Sequence, residues 1–226
     1  MDMSVRLMIC MPIAKRSRIR GKGLQMNKKI WDLYAPIYER AMRSDRKIYQ
    51  TMYDRIPKVI QEKDVLEIAT GPGLLAKHVA YAANKMIATD YSEGMIAEAR
   101  KGKYPANLTF EVADATDLPF DDSSFDVVLI ANALHVMSDP EKALMEIKRV
   151  LKDKGILIAP NFVNHKGGFI SRIWSGILKI AGIGFEHQWK EEEYRQFLEK
   201  NGWKVKNWKL MQARIPIVYV ECVRER

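Results

Sequence analysis

The octapeptide Glu67-Ile68-Ala69-Thr70-Gly71-Pro72-Gly73-Leu74 restricts this chain to few architectures. It follows the apolar Val65-Leu66 and precedes a helical pattern, so it reads as strand, tight turn and helix. An acidic residue closes the strand. Gly71 and Gly73 can take positive φ and expose backbone N–H groups, and the helix start at Leu74 can face an anion. Open α/β sheets hold nucleotide-like ligands with such a turn, at the carboxyl ends of their strands. Residues 71–76 also satisfy the relaxed dinucleotide pattern of glycine, any, glycine, two any, alanine, so the turn alone does not select a ligand.

The flanking sequence alternates. Helices are predicted over 28–43 and 46–60, then strands and helices in turn: strand 65–69, helix 74–84, strand 86–89 and helix 92–101 with Ser92 as N-cap. Strands 108–113 and 125–131 follow, then a helix over 140–151 with Pro140 in its first turn, and a strand at 155–160. Strands separated by helices of about a dozen residues imply a parallel sheet with right-handed crossovers. The runs 204–211 and 215–222 are separated only by Gln212-Ala213-Arg214, a link that makes a hairpin and turns the last strand antiparallel.

Composition narrows the class. The 226 residues, 47% hydrophobic and 29% charged, suit one soluble α/β domain. Two cysteines, Cys10 and Cys222, give no disulfide framework and no metal-ligand spacing, which makes a reducing, cytoplasmic setting the expectation and a metal site unexpected. The net charge of +9 is concentrated: residues 1–25 hold six basic residues and one acid. That segment is expected to be a disordered basic extension, and residues 26–226 a single domain.

Three acids define the ligand edge. Glu67 ends the first predicted strand, Asp90 the second, and Asp114 follows the third. Asp90 stands 19 residues after Gly71, where a carboxylate can accept from both hydroxyls of a ribose. Asp114 can take a hydrogen bond from an adenine amino group.

These stretches resemble class I S-adenosylmethionine-dependent methyltransferases, in particular the group of ubiquinone/menaquinone-type small-molecule enzymes. The resemblance lies in Val65-Leu66-Glu67-Ile68-Ala69-Thr70-Gly71-Pro72-Gly73, Ala88-Thr89-Asp90-Tyr91-Ser92, Ala113-Asp114-Ala115 with Leu118-Pro119-Phe120, and Phe125-Asp126-Val127-Val128. Asn132-Ala133-Leu134-His135 and Arg149-Val150-Leu151-Lys152-Asp153-Lys154-Gly155 extend it. It implies a Rossmann-like, doubly wound, mostly parallel seven-stranded sheet with an antiparallel C-terminal hairpin, N-terminal helices and a helical lid insertion at 161–189. It also implies S-adenosylmethionine as cofactor and S-adenosylhomocysteine as product. By the resemblance Gly71 and Gly73 pass the methionine part, Glu67 holds its amino end directly or through water, and Asp90 takes the ribose. Tyr91 and Met95 flank the adenine, Asp114 and Ala115 its amino edge, and Asn132 and Ala133 lie beside the sulfonium. The first helix, with Trp31, Tyr34 and Tyr38, covers the cofactor. The family has glycine where Ala69 stands, a replacement tolerable if the local φ is negative.

The implied reaction is direct methyl transfer to a small, hydrophobic or aromatic acceptor. It needs alignment more than acid–base chemistry; His135 is the candidate general base. His165 and His187 flank the insertion and could reach a substrate, whereas His78 reads as structural. Within the insertion, Phe169, Ile170, Ile173, Trp174, Ile177, Leu178 and Ala181 follow helical spacing, so residues 168–183 suit a lid, peripheral membrane contact or ordinary core packing. An NAD(P)-dependent oxidoreductase shares the turn and Asp90 but has no need of Glu67, Asp114 or the hairpin. A nucleic-acid methyltransferase would be expected to carry a proline and an aromatic after the fourth strand, where this chain has Asn132-Ala133-Leu134-His135; nucleic acid is therefore not the expected partner.

Overall fold

The computed structural model describes residues 31–32, 35, 46–163, 186–212 and 216–225. Five α-helices and eight strands are assigned among them. Helix α1 (Arg46–Ile60) precedes β1 (Asp64–Ile68), α2 (Leu74–Val79), β2 (Lys85–Asp90), α3 (Glu93–Ala99) and β3 (Leu108–Val112). Then come β4 (Phe125–Ile130), α4 (Pro140–Val150), β5 (Leu151–Ile158), the two-residue β6 (Asn161–Phe162), α5 (Glu191–Lys200), β7 (Trp203–Met211) and β8 (Ile217–Arg224).

The strands form one sheet in the order β3-β2-β1-β4-β5-β8, with β7 on the outer side of β8. The pairs from β3 to β5 are parallel and those of β8 antiparallel. Strand order runs one way from β1 to β3 and the other way from β4, so the topological switch lies between β1 and β4, where open α/β sheets bind ligands. The expected hairpin is present, with Met211 opposite Ile217.

The eighth strand was not expected. Pro160 has no N–H to give a ladder, yet its carbonyl accepts the Asn132 N–H at 2.7 Å. Pairing with β8 resumes beyond it, Asn161 against Val218 and Phe162 against Ile217. Strand β5 also begins at Leu151, not near Gly155, because it follows α4 without a loop.

Side-chain chemistry sets the helix ends. Ser92 caps α3 by accepting the Met95 N–H, with Glu93 in the first turn favoured by the helix dipole. Asp139 caps α4 through the Lys142 N–H, just before Pro140. The predicted helix 74–84 divides into α2 and a 3-10 turn at Ala80–Ala82.

Each sheet face is sealed by its own apolar cluster. Met52, Ile56 and Ile60, four residues apart on α1, pack with α2 residues and Tyr219 on one face. Ala143, Leu144, Ile147, Leu198 and Trp203 pack on the other. Glu221 is a buried acid on β8, held by the Arg55 guanidinium at 2.6 and 3.1 Å, the Tyr219 hydroxyl at 2.7 Å and the Asn207 amide.

Candidate functional site

The carboxyl edge of β1, β2 and β4 gathers most of the residues singled out from sequence. Ile68 is in register with Thr89 on one side and Ile130 on the other, so the loops that follow emerge together.

Glu67 is 2% exposed, beneath the glycine turn. Its carboxylate accepts the Thr70 hydroxyl at 2.8 Å. It thereby ties the end of the strand to the turn that follows it. Burial, with some repulsion from Asp90, raises its pKa to about 7. Ala69 sits at φ +55°, so the condition under which alanine replaces glycine without strain is not met: the methyl group is carried in the left-handed region. Gly71 and Gly73 have φ of +58° and +75°. A Cβ on Gly73 would meet the Phe110 ring at 2.7 Å, so this turn needs glycine for space as well as conformation.

Asp90 is half-buried at the end of β2. One oxygen accepts the Gly71 N–H and the other the Ser92 N–H. Burial raises its pKa despite these bonds, and Asp32 adds repulsion. Tyr91 is exposed beside it, and Met95 is buried on α3. Asp114 is exposed at the rim, its Oδ1 accepting the N–H and the hydroxyl of Thr116 at 2.8 Å. Ala115 is half-buried next to it.

Asn132, at φ +53°, follows β4, and its Oδ1 is buried without a hydrogen-bond partner among the described residues. Ala133 is buried next to it. His135 lies in a 3-10 turn, Leu134–Val136, and is 3% exposed. Its Nδ1 meets Asn161 Oδ1 at 2.9 Å, and Phe162 stands edge-on to its ring. Burial lowers its pKa to about 4, so the ring is neutral at physiological pH. His187 donates its N–H to the His135 carbonyl at 3.0 Å and stacks on Trp189, with Nε2 buried and unpartnered among the described residues. His78 is exposed and stacks on Tyr53, away from this edge. Tyr34, Tyr38, His165, Cys10, the 1–25 extension and the 168–183 segment lie outside the described residues.

Two contributors were not anticipated. Asp32 accepts the Ser92 hydroxyl at 2.5 Å and the Gly94 N–H at 3.0 Å, which holds Asp32 at the start of α3, just after Asp90. In sequence its segment is marked by Trp31, Tyr34 and Tyr38, not by Asp32. Asn161 carried no signal, because the strand that presents it is invisible behind Pro160. Among the described residues no cluster of three or more His, Cys, Asp or Glu is placed to hold a metal ion.

A doubly wound sheet with this strand order and an acid-lined carboxyl edge defines the class I methyltransferase fold. Residues 66–159 match the family described as Methyltransferase domain. It is 33% identical over 157 residues to a demethylmenaquinone methyltransferase of Renibacterium salmoninarum, covering 67% of this chain and 65% of that one. It is 34% identical over 118 residues to the ubiquinone/menaquinone biosynthesis C-methyltransferase UbiE of Geobacter sulfurreducens, covering 49% and 46%. The chain thus spans less than two thirds of these curated relatives. Among solved structures, a SAM-dependent methyltransferase of Thermotoga maritima shares the fold with a TM-score of 0.69 at 22% identity, over 87% of this chain and 99% of that one. The DhpI–SAH complex does so with 0.70 at 20%, over 88% and 96%.

Proposed function

We propose that residues 26–226 act as one S-adenosylmethionine-dependent methyltransferase that methylates a small, hydrophobic or aromatic acceptor in the cytoplasm. The observation that carries this reading is the grouping of Glu67, Asp90 and Asn132 around the glycine turn at the β1/β4 switch. Two acids with raised pKa favour a cationic, hydroxyl-bearing ligand, and Asn132 Oδ1 has an acceptor to offer. The named relatives are methyltransferases, which argues against NAD(P).

Asp90 would hold the ribose, Tyr91 and Met95 the adenine faces, and Asp114 and Ala115 its amino edge. Gly71, Gly73 and Ala69 would line the methionine part, with Glu67 shaping the turn from below, and Asn132 and Ala133 would face the sulfonium region. Bound there, S-adenosylmethionine supplies an already activated methyl group. The protein's share is then alignment and exclusion of water, with neutral His135 available to receive a proton from the acceptor. The names of the relatives suggest a quinol-type acceptor, and the stack of His187, Trp189 and Phe197 suits a planar, apolar ring. Transfer of labelled methyl from S-adenosylmethionine to demethylmenaquinol, compared with simple phenols, amines and thiols, tests this. Transfer only to amines or thiols would reject the acceptor class.

A further inference from the structure

We propose that Asn161 is a positioning residue, whose amide fixes the Nδ1–H tautomer of His135 and leaves Nε2 as the lone-pair nitrogen of that ring. The kinetic part of this inference rests on the proposed role of His135 as proton acceptor; the tautomer does not.

Asn161 is fully buried and His135 nearly so, so neither can exchange this contact for water without cost. The Asn161 Nδ2 donates to the Phe162 carbonyl at 3.1 Å, which turns Oδ1 toward the imidazole at 2.9 Å. Exchanging the ends of the amide would set two acceptor oxygens against each other at Phe162. With Oδ1 facing it, Nδ1 must carry the hydrogen. The remaining freedoms are also restricted. Phe162 stands at 89° to the imidazole with centroids 5.4 Å apart, fixing the ring plane. The His187 N–H holds the His135 carbonyl, fixing the main chain. Asn161 and Phe162 are themselves placed by pairing with Val218 and Ile217. A base must present its lone pair and not its hydrogen, and a neutral one adds no positive charge beside a cationic methyl donor. The Nδ1–H tautomer places the lone pair on Nε2, and the ring is neutral.

The test uses the full chain labelled with 15N-histidine and saturated with S-adenosylhomocysteine, with His135→Gln to assign one of the four histidines. Long-range proton–nitrogen spectra are expected to show a protonated Nδ1 and an unprotonated Nε2 for His135. Asn161→Ala should shift the ring toward the other tautomer, and Asn161→Asp should retain Nδ1–H. With demethylmenaquinol as acceptor, Asn161→Ala should lower kcat at least about tenfold, leaving KM and S-adenosylhomocysteine affinity unchanged, and Asn161→Asp should recover most of the loss. An Nε2–H tautomer in the wild type, or an unchanged kcat once the tautomer has shifted, overturns the proposal. Should Asn161→Ala not fold, the wild-type and Asn161→Asp spectra decide the tautomer. Absence of methyl transfer by the wild type, with Nδ1–H observed, would reject the acceptor class while supporting the Asn161 assignment.

Discussion

The Asp90 carboxylate accepts the Gly71 N–H at 2.8 Å, so the acid at the end of β2 braces the glycine turn after β1. Its other oxygen accepts the Ser92 N–H at 2.9 Å. Each oxygen keeps a second lone pair, which lets one side chain shape the turn and still accept from a ribose. Asp90→Ala should weaken S-adenosylhomocysteine binding at least tenfold, about 1.4 kcal/mol, in a calorimetric titration. Unchanged affinity would remove Asp90 from the site.

Ala69 at φ +55° offers a test with the opposite sign. Left-handed backbone costs a residue with a Cβ roughly 1–2 kcal/mol, and glycine returns part of that gain through its freer unfolded chain. Ala69→Gly is expected to stabilise the fold by about 0.5–1 kcal/mol in urea unfolding. Destabilisation would mean that the methyl group makes contacts worth more than the strain.

Glu67 couples stability to pH. Its folded pKa of about 7 lies above the ordinary 4.5, so between these values the folded protein keeps a proton that the unfolded chain releases. Its contribution is therefore fully present below about pH 4.5 and is lost as pH rises toward 7, by roughly 3 kcal/mol at most. Glu67→Gln should flatten that part of a stability–pH curve. An unchanged slope would show that Glu67 is already ionised in the folded state.

Gly94 reports on the docking of Asp32. A Cβ at Gly94 would lie 2.9 Å from the Asp32 Cα, so Gly94→Ala should displace Asp32 while leaving α3 intact. S-adenosylhomocysteine affinity should fall several-fold, with urea stability changed by less than about 0.5 kcal/mol. Loss of stability without loss of affinity would make the contact purely structural.

Much of this was written in local pattern. The apolar run Val127-Val128-Leu129-Ile130 identifies a strand covered on both faces, Ser92 and Pro140 mark helix starts, and the spacing from Gly71 to Asp90 places two acids on one edge. Long-range or conformational features were not legible. The short strand beyond Pro160 exists only because β8 is there to pair with it, so Asn161 gave no warning of its contact with His135. The sign of φ at Ala69 is set by the turn and not by the residue, and alanine pointed the wrong way. Glu67 could be placed at a strand end, but only the packed structure shows that it is buried there and accepts the Thr70 hydroxyl.

A crystal structure of the chain with S-adenosylhomocysteine would locate the cofactor site outright. The ribose hydroxyls are expected within hydrogen-bond distance of Asp90, the homocysteine portion against Gly71 and Gly73, and the adenine between Tyr91 and Met95. A ligand bound elsewhere, or an Asp90 carboxylate turned away from the sugar, would contradict this placement.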